Sequence, residues 1–222
     1  MGKHFATLVA LEESNMKQVL ANYARMLDGG LHADLSIQTQ NDFTLAHRGV
    51  LASISSVLQA KLEDVSSDEE QQTRTAVIKL DELGTTKAVR AFLRLLYTGS
   101  LDLEGISWEH ILEIFAACHK FQVPVCMKQA CASALGEMLT VHNCLRILEQ
   151  AEMYDKALMK KSEKFVAKNF RSVVLAEGFE DLAKRKPAVL VDLVRTKMTC
   201  SAHKRICLCL AKLLIYSGSR SL

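Results

Sequence analysis

The chain has 222 residues, of which 10 are Gly and 2 are Pro, under half the combined share of about 12% in average proteins. So few turn formers exclude a many-stranded sandwich or barrel and any collagen-like or Pro-rich architecture. The 49% hydrophobic and 24% charged residues exclude disorder over most of the chain. The net charge of +3 is too small to argue for a nucleic-acid binder, yet it is unevenly laid out. Residues 1–154 hold 13 Lys/Arg against 19 Asp/Glu, a net −6, and residues 155–222 hold 15 against 6, a net +9.

In chain order, Ser14 or Asn15 is a helix cap. Met16, Val19, Leu20, Tyr23 and Leu27 follow as one apolar stripe, stopped by Asp28-Gly29-Gly30. A helix of about three turns has no stability alone, so its own domain or another chain must cover the stripe. The period then changes to two: Leu35, Ile37 and Thr39 alternate with Asp34, Ser36 and Gln38. Asn41-Asp42 makes a turn and Phe43 to His47 returns, a β-hairpin signal. Helical spacing resumes at Val50, Leu51, Ile54, Val57, Leu58 and Leu62. Glu63 to Arg74 is an acid-rich exposed loop, and Ala76 to Leu80 is a third short strand. A sheet this small must be covered by helices, which makes the fold class α+β.

Helix follows helix from there. Val89, Phe92, Leu93, Leu96 and Tyr97 form a stripe ending at Thr98-Gly99, and Ile111, Ile114, Phe115, Cys118 and Phe121 form another, closed by Pro124. Met127, Ala130, Cys131, Ala134, Leu135 and Met138 make the cleanest one. Thr140 caps a helix carrying Cys144, Ile147, Leu148 and Ala151. Leu158, Phe165, Val166 and Phe170 mark the next, Phe179 and Leu182 a short piece, and Pro187 a last helix start. The residues after Lys197 form a tail in which Ile206 to Tyr216 is apolar but far short of the ~20 residues that span a bilayer.

Residue chemistry argues against catalysis. The 7 Cys are an odd number, and Cys207 and Cys209 are the one closely spaced pair. Residues 1–20 do not resemble a secretory segment. Free buried thiols in a reducing compartment are therefore expected, with no metal site. His47 has no nucleophile at triad spacing, and no nucleophile elbow or phosphate-binding glycine loop is present. A histidine at a strand-to-helix junction is a structural hydrogen-bonder, so no enzyme and no cofactor are expected.

Several phrases carry a family resemblance. Asp34-Leu35-Ser36-Ile37 resembles the "sDv.l" strand of BTB/POZ domains, and Phe43 to Ala52 resembles their "F.aHr.vLa" signature. Phe92 to Gly99 resembles "fl.llYTG", and Ala116 to Val123 resembles "lA.ky.v". Beyond them, Leu139 to Cys144, Ala151 to Tyr154, Phe165-Val166 and Asn169-Phe170 resemble the start of a BACK region. The arrangement is similar to the C-terminal half of speckle-type POZ protein relatives. The resemblance implies a BTB/POZ fold over residues 14–139, a small mostly antiparallel sheet covered by helical hairpins, with 14–28 as dimerisation helix. It implies an all-α BACK region over 140–197 and a tail over 198–222.

The resemblance also implies an intracellular homodimer, or a heterodimer with other BTB proteins, acting in the cytoplasm or nucleus. Such a chain would be an adaptor of a cullin-3 ubiquitin ligase in protein ubiquitination. The dimer interface would use Met16, Val19, Leu20, Tyr23, Leu27, Asp34 and Arg48. The cullin interface would use Leu62, Val65, Ser66, Asp68, Phe121 and Asn143. Asp34 and Arg48 are equally compatible with an ordinary surface ion pair. Two departures stand out. No MATH, kelch or zinc-finger substrate arm is found in the chain. Ser66-Ser67-Asp68 occupies the place of the apolar-x-Glu cullin motif, a change that forgoes ~1.5–3 kcal/mol for a large apolar side chain. The alternative is a dimerisation or scaffolding module without a ligase role. Nucleic acid and membranes are not expected partners.

Overall fold

The computed structural model describes residues 2–39, 42–66, 76–176 and 178–185. They divide into two units, residues 1–134 and 135–222.

The first unit opens with α1 (Gly2–Asp28). The helix begins well before Ser14, the expected cap. No Pro or Gly interrupts residues 3–28, so Ser14 and Asn15 sit in helix interior, where their cost is only tenths of a kcal/mol, about 0.5. Gly29 and Gly30 end it, Gly30 at φ 57°, a left-handed conformation that glycine adopts without a Cβ clash. Three strands follow, β1 (Leu35–Gln38), β2 (Phe43–Ala46) and β3 (Ala76–Lys79), in the order β2-β1-β3. β1 and β2 pair antiparallel, from Leu35↔Ala46 to Gln38↔Phe43. β3 pairs parallel to β1, from Leu35↔Ala76 to Gln38↔Lys79.

The sheet that the resemblance made mostly antiparallel is, among the described residues, one antiparallel pair and one parallel pair. The cause is the connection. The chain leaves β2 through α2 (Arg48–Ile54) and α3 (Ser56–Ser66) and returns as β3, and such a crossover delivers a parallel strand. As the central strand, β1 also buries Ser36, which the alternation had placed outside (9% exposed). The acid-rich segment begins as helix, since α3 continues to Ser66; residues 67–74 lie outside the described residues.

Behind the sheet come α4 (Thr86–Thr98), α5 (Trp108–Lys120) and α6 (Val125–Glu137). Thr85 caps α4, accepting the Ala88 N–H at 3.1 Å, and Gly99 closes it at φ 70°. Ala88, Val89, Ala91, Phe92, Leu93, Leu95, Leu96 and Tyr97 are buried, so Lys87, Arg90 and Arg94 share the outward face. Leu35, Ile37, Leu51, Leu58, Phe92, Phe115 and Ile114 are among the fully buried side chains, each worth roughly 1.5–3 kcal/mol. Between α5 and α6, Gln122 takes φ 50°. The Ser55 hydroxyl locks this corner: it donates to the Phe121 carbonyl and accepts the Leu58 N–H at 3.0 Å. Cys118 and Cys131 are both buried. The Cys131 side chain beside it, and burial, hold the Cys118 thiol protonated well above the ordinary thiol range.

The second unit is helical: α7 (Cys144–Tyr154), α8 (Lys156–Lys168), α9 (Phe170–Val174) and α10 (Gly178–Arg185). Its core joins Leu145, Leu148, Val166, Phe170, Val173, Phe179 and Leu182. Burial pushes the Cys144 thiol up to about 11. Thr140, the expected cap of α7, stands three residues before Asn143 at the cap position, and its carbonyl accepts the Cys144 N–H at 3.0 Å. The helix starts at Cys144, and the Asn143 amide accepts the Thr140 N–H at 2.7 Å and donates to the Met138 carbonyl at 2.8 Å. The expected helix at Pro187 and the tail over 198–222 with Cys207 and Cys209 lie outside the described residues. No helix among the described residues is long and apolar enough to cross a membrane.

Candidate functional site

The apolar stripe of α1 lies largely on the surface. Met16, Val19 and Tyr23 are 60%, 47% and 43% exposed, at positions i, i+3 and i+7 of one helix face. Leu20 and Leu27 are half-buried, and Ala24 is the buried contact between them. α1 packs on α4, where Arg94 holds both carboxylate oxygens of Asp28 at 3.0 and 3.1 Å. Beside Tyr23 opens a cavity of about 370 Å³ lined by Val50, Ser53, Ile54, Leu96 and Tyr97. The stripe and this hollow together form a raised apolar row next to a concave surface.

A polar node holds α1 in register with the body. The Tyr97 hydroxyl accepts the His47 backbone N–H at 2.8 Å and contacts His47 Nδ1 at 2.8 Å. His47 Nε2 is 2.7 Å from the carbonyl of Leu31, just after α1. A carbonyl cannot donate, so Nε2 carries a proton, and in the neutral ring Nδ1 accepts from the Tyr97 hydroxyl. His47 is thus a structural hydrogen-bonder joining three elements. Burial, reinforced by Asp34, pushes the Tyr97 hydroxyl up to about 12 despite the His47 N–H that opposes the shift.

Asp34 and Arg48 are brought together through the backbone. Asp34 Oδ1 accepts the Arg48 N–H at 2.8 Å, capping α2 from outside its own strand, a favourable place for a carboxylate. The Arg48 guanidinium reaches the Leu62 carbonyl at 3.4 Å.

Three of the residues expected at a cullin surface, Leu62, Phe121 and Asn143, lie in the interior. Leu62 and Phe121 are 3% and 2% exposed, and the Phe121 ring packs on Phe92 at 6.0 Å between centroids. Asn143 is 1% exposed, its amide spent on the turn before α7. Each is interior because its polar or apolar groups are already satisfied within the chain. Val65 and Ser66 lie in the last turn of α3, and Asp68 lies outside the described residues. The apolar surface instead includes Val125, 64% exposed, and Phe43 and Leu45, 53% and 48% exposed. Val125 had a sequence signal: it stands outside the stripe that Met127 and Cys131 follow. Among the described residues, no cluster of His, Cys, Asp and Glu could hold a metal ion.

Comparisons with known proteins bear on this surface. The model of the BTB/POZ domain family matches residues 23–139. A BTB/POZ domain-containing protein of Arabidopsis thaliana is 25% identical over 199 residues, covering 87% of this chain and 68% of its own length. BTB/POZ and TAZ domain-containing protein 1, from the same plant, is 31% identical over 152 residues, 68% of this chain and 40% of its own. BTB/POZ and MATH domain-containing protein 4, also from Arabidopsis thaliana, is 24% identical over 194 residues, 81% and 40%. The chain therefore spans less than half the length of the last two relatives. The family match takes in more than half of the chain, from the exposed Tyr23 through the sheet and the α4–α6 helices, and on that ground the chain belongs to the BTB/POZ domain family.

Proposed function

We propose that this chain is a non-enzymatic interaction adaptor that works as a dimer through α1, its second unit serving as a BACK region, in a cullin-3 ubiquitin ligase of the cytoplasm or nucleus. The observation that carries the reading is the exposed row Met16, Val19 and Tyr23 beside the hollow at Val50 and Leu96. Two such faces, related by a two-fold axis, bury each other's row and make a self-complementary interface. The half-buried Leu20 and Leu27 belong to the same stripe, and in this reading Asp34 and Arg48 join the interface. With Leu62 and Phe121 buried, the cullin-facing surface is drawn from exposed residues near them in the chain of the first unit: Gln59, Glu63, Asp64 and Val125. Purified cullin-3 N-terminal domain tests the ligase role. Capture by the intact dimer at tens of micromolar is the expected result, and no capture refutes it.

Ser66 favours a second reading, a dimerisation or scaffolding module that pairs with other BTB proteins and has no ligase role. There the cullin motif lacks its apolar residue. Ser66→Met then gains cullin affinity; an unchanged affinity removes Ser66 as the reason.

A further inference from the structure

Neither the backbone nor the packing of its own chain requires a glycine at position 49. Gly49 stands in the first turn of α2. Its φ is not positive, unlike those of Gly30, Gly99 and Gly105, so any residue could adopt its conformation. Nothing lies within 4 Å of the place a Cβ would take, so no neighbour excludes a side chain. Glycine also destabilises a helix relative to alanine. What the missing side chain leaves is space, because Gly49 lines the cavity of about 370 Å³ beside Tyr23.

This hollow suits an apolar guest. Val50, Ile54 and Leu96 supply hydrocarbon walls. The Ser53 hydroxyl donates to the Val50 carbonyl at 2.8 Å, and the Tyr97 hydroxyl is held by His47. The donor hydrogens of both are spent within the chain, so an apolar side chain can cover them without leaving a donor unpaired.

The α1 row supplies such a side chain in the right place. Met16 is at one end of the row and Tyr23, beside the hollow, at the other, with Val19 between. Val19 is three residues from Met16 and four from Tyr23, about 4.5 and 6 Å along the helix. A two-fold axis crossing the row near Val19, perpendicular to the helix, exchanges its two ends. Met16 of each chain then meets the hollow of the other. Met16 is 60% exposed, more than Val19 or Tyr23, and an unbranched thioether side chain adapts to an irregular gap.

We infer that Gly49 is a specificity-determining residue of the dimer, its missing side chain opening the hollow that receives Met16 of a second copy. The assignment rests on the dimeric reading of α1 and goes beyond it by naming the side chain that enters, the hollow it enters and the residue that admits it. A chain with a large side chain at 49 is refused as a partner.

Sedimentation equilibrium on the full chain tests this with Gly49→Leu, Met16→Ala and the double variant. Gly49→Leu keeps the far-UV circular dichroism and cooperative unfolding of the parent, and its dimer is weaker by at least about tenfold. Met16→Ala makes room in the filled hollow, so the double variant dimerises more tightly than Gly49→Leu alone. A Gly49→Leu dimer weakened by less than about tenfold, a double variant no tighter than Gly49→Leu, or a Gly49→Leu chain that does not fold overturns the inference and leaves the parent dimer standing. A monomeric parent overturns the dimeric reading itself, and this inference with it.

Discussion

Tyr97→Phe removes one oxygen from a residue that is 4% exposed and leaves the ring in place. The lost hydroxyl is the acceptor of the His47 N–H and the partner of His47 Nδ1, both at 2.8 Å. Phe offers neither group a replacement. Leaving the part-buried N–H unpaired costs about 1–3 kcal/mol, and the freed ring nitrogen places the expected loss in the upper half of that span. At about 2–4 °C per kcal/mol for a chain of this size, thermal unfolding drops by roughly 4–12 °C. A variant unfolding within a degree or so of the parent, about the smallest shift this scale resolves, refutes the node as a support.

The same variant isolates a pH effect. The folded Tyr97 hydroxyl is raised to about 12, above the ~10 of an unfolded tyrosine. Its neutral form is therefore the one the fold favours. That contribution is complete below pH ~10 and is lost as pH rises toward ~12, an order-of-magnitude 2–3 kcal/mol. The parent loses its advantage over Tyr97→Phe across that window. A difference between the two that stays constant from pH ~9 to ~12 contradicts the argument.

Two further predictions concern the second unit and the thiols. Asn143→Ala takes away the amide that holds Thr140 N–H and Met138 C=O. It lowers the urea midpoint by the equivalent of about 1–3 kcal/mol, and an unchanged midpoint shows that water replaces the amide. Alkylation by iodoacetamide under native conditions modifies the exposed Cys126 and spares the buried Cys118, Cys131 and Cys144. Peptide mass mapping that finds Cys118 or Cys144 labelled as fast as Cys126 would show that these cores open readily.

Much of the fold was legible because it rests on local periodicity. Leu35, Ile37 and Thr39 announced a strand by alternation, Phe43 to His47 announced its return, and the α4 stripe ending at Thr98-Gly99 has both its cap and its left-handed stop. What escaped depends on where an element sits among others. Alternation cannot say that β1 is central, so Ser36 was placed outside. A hairpin at the start says nothing of the crossover that lays β3 parallel to β1. The candidate site divides on the same line. The α1 stripe marks Met16, Val19 and Tyr23 as apolar, and the surface leaves them there. Leu62, Phe121 and Asn143 were matched to a partner surface by motif position, while their neighbours, Phe92 for Phe121 and Thr140 for Asn143, keep them inside. The place of β2 at the edge had no signal in periodicity either, since only strand order shows that, among the described residues, it pairs with β1 alone.

The claim on which the account rests is that α1 pairs two chains through its exposed row. Light scattering on the full chain at micromolar concentration measures this directly. The account predicts twice the mass of the 24.7 kDa chain, falling to a single folded chain in the Val19→Asp, Tyr23→Asp variant, because two unpaired charges would otherwise be buried at the interface. A monomeric parent, or a variant that remains a dimer, contradicts it.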